Sequence, residues 1–280
     1  MNDLEEAKAR AAKAYNAAAD YFDHPVSSFW HGFGKQTVER LDLLPGERVL
    51  DVCSGSGGSA LPAAERVGPK GKVVAADLAE NLIALARAKA NARGLENIEF
   101  RVDDMLALGY PDASFDAVVC VFGIFFVPDM ATAARELWRM VRPGGRLAIT
   151  TWGPNLFEPA NSVFWDLIRQ ERPDLHRGFN PWDRISEPSG LRDMLADAGI
   201  HTENIVAEPG THPLNAPDDW WAIAMGSGYR GTLEQLDAET FARVREGHLS
   251  RLRQERVGAI ETNVIYAVAT KGNTDHSRMN

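Results

Sequence analysis

The stretch Val49-Leu50-Asp51-Val52-Cys53-Ser54-Gly55-Ser56-Gly57-Gly58 decides the fold. A short apolar strand runs into a glycine-rich turn that opens a helix. Glycine takes positive φ without a Cβ clash and lets the backbone approach a ligand closely. Several backbone N–H groups converge in such a turn. Dinucleotides use turns of this kind too, so the turn alone leaves the ligand open.

Working outward, strand and helix alternate at short spacing. The pattern predicts strands over 48–52, 72–76, 98–102, 115–122 and 146–152. Helices fall over 58–67, 80–93 and 129–141. Pro62 sits near a first turn, Gly94 closes the second helix, and Pro143-Gly144-Gly145 stops the third. This alternation argues for an α/β, doubly wound, mostly parallel sheet of seven strands with helices on both faces. Crossovers should be right-handed, and a ligand should bind beyond the carboxyl ends of the strands where their order reverses.

On the N-terminal side, 4–22 reads as a helix ended by His24-Pro25. An aromatic stretch of Phe29, Trp30, His31 and Phe33 follows, then a helix over about 35–43. Beyond Trp152, residues 153–186 are rich in proline and aromatics. A helix is expected over 187–198, a strand over 205–207, helical structure over 215–256 and a last strand over 262–270. These readings divide the chain into 1–45, 46–152, 153–186, 187–270 with a helical insertion at 215–256, and a polar tail at 271–280 expected to be disordered.

Two acids narrow the ligand. Val73-Val74-Ala75-Ala76-Asp77 ends a strand about twenty residues past the glycines, where a carboxylate can accept both hydroxyls of a ribose. Arg101-Val102-Asp103-Asp104-Met105 ends another, where a carboxylate can accept from an adenine amino group. Together with Arg142-Pro143-Gly144-Gly145-Arg146-Leu147, these segments resemble the class I S-adenosylmethionine-dependent methyltransferases over about residues 47–152. Phe122-Gly123-Ile124 with Val127 and Asp129 is most similar to the ubiquinone/menaquinone-biosynthesis C-methyltransferase group. Cys53 departs from the Gly or Ala usual there, and Phe125-Phe126 replaces a polar pair.

The resemblance implies S-adenosylmethionine as cofactor. Its contacts would be Asp51, Cys53, Gly55, Ser56 and Gly57 in the turn, Asp77 and Leu78 at the ribose and adenine, Asp104 and Met105 at the adenine edge, and Val121 at the methionyl end. Asp103 competes with Asp104, since strand neighbours point opposite ways. Residues 1–45 would form a helical lid. Methyl transfer needs alignment more than a catalytic residue; His24 and His31 are the only histidines placed near the cofactor mouth. Trp30, Phe122, Phe125, Trp152 and Trp220 are candidates for an acceptor pocket, shaped by the segments 153–186 and 215–256. The implied function is methyl transfer to O, N or C of a small, partly apolar acceptor. A non-catalytic binder of the same cofactor, or an enzyme acting on a macromolecule, are the alternatives.

Bulk properties agree. The 280 residues carry a formal net charge of −9, which disfavours broad phosphate-backbone binding. Two cysteines make neither a disulfide framework nor a four-cysteine metal site, and no metal-ligand spacing occurs. No apolar run reaches transmembrane length and the start lacks a signal-peptide core. The expectation is a cytoplasmic enzyme with a small-molecule partner, no nucleic-acid or membrane partner and no metal. Oligomeric state is not encoded legibly.

Overall fold

The computed structural model describes residues 3–176 and 178–272; most of the tail expected at 271–280 lies outside them. The elements are α1 (Asp3–Phe22), α2 (Phe29–Leu41), β1 (Arg48–Val52), α3 (Ala60–Val67), β2 (Lys72–Asp77), α4 (Glu80–Ala92), β3 (Ile98–Val102), β4 (Phe115–Val121), α5 (Met130–Met140), β5 (Val141–Trp152), α6 (Ala160–Glu171), α7 (Pro188–Asp197), β6 (Ile205–Glu208), β7 (Thr211–Pro213), α8 (Asp218–Met225), α9 (Arg230–Leu233), α10 (Ala238–Gln254), β8 (Ala259–Glu261) and β9 (Val264–Thr270).

Seven strands form one sheet in the order β3-β2-β1-β4-β5-β9-β6. β9 runs antiparallel to both β5 and β6, and the pairs from β3 through β5 are parallel. The order reverses between β1 and β4, so the crevice at their carboxyl ends is the expected ligand position. Alternation along β1 explains its burial. Leu50 and Val52 enter one hydrophobic cluster and Val49 enters the other, on the opposite face.

Three features differ from the expectation. α2 begins at Phe29 rather than near 35, so the aromatic stretch is helical; Gly32 and Gly34, weak helix formers, mask its period. β5 begins at Val141, because Pro143-Gly144-Gly145 is absorbed as an irregularity in its register with β4 instead of ending the helix in a free loop. β7 and β8 pair as a separate two-stranded sheet, and three-residue strands carry too little pattern to read.

The insertion at 215–256 becomes α8, α9 and α10. Its first part braces α1. A Cβ on Gly226 would meet the Tyr21 carbonyl oxygen at 2.6 Å, and Arg230 lies 3.5 Å from Asp20. Its second part packs on α6: His248 is fully buried and its Nε2 lies 3.0 Å from the Ala160 carbonyl oxygen. The Nδ1 atom of His248 has no hydrogen-bond partner.

Burial pushes the His248 imidazole down to about 4, against the pull of the Ala160 carbonyl. The folded state therefore holds it neutral, while the unfolded chain takes up a proton below about pH 6.5. The stability from this group is full above that pH and is lost as pH falls toward 4. Wild type should lose about 2–3 kcal/mol more than His248→Gln between pH 7.5 and 4.5. Denaturant unfolding at the two pH values checks it.

Candidate active site

The loop after β1 is held open by backbone geometry. Gly55 and Gly57 have φ of 52° and 87°, and so does a residue that rarely tolerates it, Cys53, at 58°. Ser54 N–H donates to the Ala76 carbonyl at 3.1 Å, tying the loop to the end of β2. Asp77 completes the tie. Its Oδ2 accepts from the Gly55 N–H and its Oδ1 from the Ala79 N–H, both at 2.8 Å. One carboxylate thus joins strand end, glycine loop and the start of α4. Burial pushes its carboxyl above the ordinary value despite those donors.

At the end of β3, Asp103 and Asp104 both face the cleft. Asp104 Oδ1 accepts from the Leu106 N–H at 2.9 Å, and Oδ2 lies 2.6 Å from Lys8 Nζ of α1. Asp103 pairs with Arg101 at 3.0 Å. Hydrogen bonds to Asp104 and then Glu5 hold the Lys8 ammonium above its usual range.

One cavity collects these groups. Its wall includes Cys53, Gly55, Ser56, Asp77, Leu78, Asp104, Met105 and Val121 from the expected cofactor set, with Trp30 and Phe122 from the expected acceptor set and His31 from the expected histidines. It also includes Lys8, Tyr15, Phe22, Phe126 and Val127, which the sequence reading did not assign to the site. The signal was present for the α1 residues. Lys8, Ala11, Ala12, Tyr15 and Phe22 recur at helical spacing and share one face.

The remaining candidates stand elsewhere. Gly57 is not a wall residue; a Cβ there would press on Leu61 at 3.1 Å and Ala86 at 3.3 Å, so it serves loop-to-helix packing. Asp51 is fully buried beneath the loop. Ser59 Oγ donates to its Oδ2 at 2.7 Å, its Oδ1 has no partner, and burial pushes its carboxyl up to about 7. Trp152 lies behind the wall, stacked on Phe122 with ring centroids 3.9 Å apart. Phe125 turns toward Trp182. Trp220 is fully buried among Phe164, Tyr229 and His248. His24 caps the short turn at Pro25–Ser27, its Nδ1 accepting from the Val26 N–H at 3.3 Å. The segments 153–186 and 215–256, expected to shape an acceptor pocket, stand apart from this cavity. Neither segment supplies a wall residue, because α8 and α9 are spent on supporting α1 and α10 on α6.

The segment that joins α1 to α2 is fastened beside the glycine loop by a polar cluster. Lys89 Nζ of α4 lies 2.8 Å from Asp23 Oδ2 and donates to Ser56 Oγ at 3.0 Å. Ser56 Oγ donates to Asp23 Oδ1 at 2.7 Å, and His31 Nε2 lies 3.0 Å from the same oxygen. Burial opposes ionisation of Asp23, but donors from His31, Lys89 and Ser56 outweigh it and hold the carboxyl far below the usual range. Close packing adds to this attachment: a Cβ on Gly34 of α2 would fall 2.4 Å from the Gly58 carbonyl carbon. Lys89→Met removes the cation from a partly buried pair and should loosen the attachment of α1 by about 1–2 kcal/mol. Tryptic cleavage near Lys13 should then accelerate about tenfold; an unchanged rate would show that the cluster does not hold α1.

Comparison with known proteins places this architecture. An S-adenosylmethionine-dependent methyltransferase from Aquifex aeolicus superposes with TM-score 0.54 at 25% identity, over 68% of this chain and 91% of its own. A phosphoethanolamine N-methyltransferase of Haemonchus contortus in complex with S-adenosyl-L-methionine shares the fold, with TM-score 0.53 at 18% identity over 91% of this chain and 60% of its own. The ubiE/COQ5 methyltransferase family profile matches residues 4–163, and the chain belongs to that family. The demethylmenaquinone methyltransferase of Geobacillus stearothermophilus is 38% identical over 124 residues, which span 44% of this chain and 53% of that protein, about half its length. The aklanonic acid methyltransferase DauC of Streptomyces sp. strain C5 is 33% identical over 187 residues, covering 62% of this chain and 85% of its own.

Proposed function

We propose that the chain transfers the methyl group of S-adenosylmethionine to a small, partly apolar organic acceptor. The observation that carries this reading is one cavity in which the glycine loop and the acids ending β2 and β3 meet an aromatic wall. The residues fit the cofactor. Asp77 accepts one backbone hydrogen bond at each oxygen, and a carboxylate has about four lone-pair sites, so capacity remains for two ribose hydroxyls. Asp104 would accept from the adenine amino group, sharing its charge with Lys8, while Leu78 and Met105 would flank the purine. The loop from Cys53 to Ser56 and Val121 would border the methionyl part.

Bound S-adenosylmethionine supplies a methyl group already activated on a sulfonium. What remains for the protein is alignment and exclusion of water. Trp30, Phe122, Phe126 and Tyr15 would supply the apolar surface against which an acceptor is oriented, and α1 with α2 would close the cleft. The edge contact of Trp30 on Phe122, with centroids 5.8 Å apart, and the stacked Trp152 behind make that surface stiff. Phe122 itself has φ of 53°, so backbone strain accompanies its placement at the wall. His31, oriented by Asp23, is the wall's candidate base for an acceptor that must lose a proton.

The relatives are named for two different acceptors, demethylmenaquinone and aklanonic acid, so family membership leaves the acceptor open. A cytoplasmic location and a small-molecule partner are part of this reading. No helix among the described residues is long and apolar enough to cross a membrane. The test is release of S-adenosylhomocysteine from S-adenosylmethionine over a panel of phenols, hydroquinones, carboxylic acids and amines, each with and without an apolar ring system. Turnover is expected for ring-bearing members. Turnover confined to small hydrophilic members would contradict the role given to the aromatic wall.

A further inference from the structure

The two cysteines, far apart in sequence, stand together at the inner end of the cavity. Cys120 pairs with Val52, the residue before Cys53, across β1 and β4. A Cβ on Gly123 would fall 2.8 Å from Cys53 Sγ and 2.9 Å from Cys120 Sγ, so both sulfurs border one point. A third sulfur is adjacent: Cys53 Sγ lies 3.9 Å from Met105 Sδ. Cys53 and Met105 are wall residues, and Cys120 is fully buried behind them.

This convergence is held at a cost. Cys53 keeps φ at 58°, a conformation that favours glycine, in the loop where glycine would be free of strain. Three sulfurs thus arrive from the glycine loop, from β4 and from the turn after β3. Among the described residues no group of three or more His, Cys, Asp or Glu side chains could hold a metal ion. A thioether as third donor matters only to a soft cation, for which thiolate and thioether are preferred ligands.

We propose that Cys53, Cys120 and Met105 form a binding site for a soft monovalent cation, Cu⁺ being the type. A cation bonded at about 2.3 Å to three sulfurs in one plane sets them about 4 Å apart, which the Cys53–Met105 spacing already meets. Binding forms two thiolate bonds and one thioether bond, and releases the two thiol protons to solvent without electron transfer. Access is from the cavity, over Cys53 and Met105. A cation seated there occupies the inner wall that the cofactor reading assigns to the methionyl group, so cation and cofactor exclude one another.

The experiment titrates the full, reduced chain under nitrogen with Cu⁺ presented as its bathocuproine disulfonate complex. One ion per chain is expected. Cys53→Gly, which suits the backbone and keeps the fold, and Cys120→Ser should each weaken uptake by about a hundredfold or more, and Met105→Leu by about tenfold. Saturating S-adenosylhomocysteine should suppress uptake. Affinity unchanged in Cys53→Gly overturns the proposal, as does Met105→Leu indistinguishable from wild type, or uptake indifferent to bound S-adenosylhomocysteine. If S-adenosylhomocysteine fails to bind at all, the cofactor reading fails, while stoichiometry and the variants still decide the sulfur site.

Discussion

Asp77→Ala should lower the affinity for S-adenosylhomocysteine by at least about a hundredfold while leaving the chain folded. Two losses combine. In the cofactor reading the carboxylate accepts from the ribose hydroxyls, and hydrogen bonds to a charged group contribute about 1.5–3 kcal/mol each. In the protein, the same carboxylate holds the Gly55 and Ala79 N–H groups, so its removal frees the loop that must embrace the ligand. Two such bonds amount to a factor of about 10²–10⁴. Asp77→Asn keeps one accepting oxygen and should fall between wild type and alanine. Calorimetric titration, with far-ultraviolet circular dichroism as the fold control, separates the effects. An alanine variant that binds like wild type would place the ribose elsewhere.

Trp220→Ala should produce the largest loss of stability. The side chain is fully buried, with ring centroids 4.3 Å from His248, 5.1 Å from Phe164 and 5.5 Å from Tyr229. Truncating a buried aromatic costs about 3–5 kcal/mol through lost burial and the cavity left behind. For a chain of this size that lowers the melting midpoint by roughly 10 °C. Trp220→Phe should cost less, since it also removes the indole Nε1 that has no partner. The acceptor KM of the folded fraction should not move, because Trp220 is not in the cavity wall. A raised KM with an unchanged midpoint would return Trp220 to the acceptor pocket and contradict the packing described for α6, α8 and α10.

The parallel part of the sheet was legible because strands buried on both faces read as continuous apolar runs between turn residues. Val73 to Ala76 and Ala117 to Val121 are such runs. The acids at strand ends were legible for the same reason: once the strands are placed, their carboxyl ends are placed. Contacts made by chain segments distant in sequence were not. Lys8 meets Asp104 only because α1 folds across the cleft, and Trp220 stands outside this cavity's wall because it packs among Phe164, Tyr229 and His248. Cys53 and Cys120 each read as an isolated apolar residue, and the register of β1 on β4 alone brings them together. Phe125 and Phe126 show the limit most directly. Their rings stay in contact, with centroids 4.9 Å apart, yet Phe126 enters the cavity wall while Phe125 turns toward Trp182.

Calorimetric titration of the wild-type chain with S-adenosylhomocysteine tests the central claim most directly. Saturable binding at one site per chain, in the micromolar range, is the predicted result, about −8 kcal/mol in free energy. A folded chain that takes up no S-adenosylhomocysteine and no S-adenosylmethionine would contradict the assignment of the glycine loop, Asp77 and Asp104 to this cofactor.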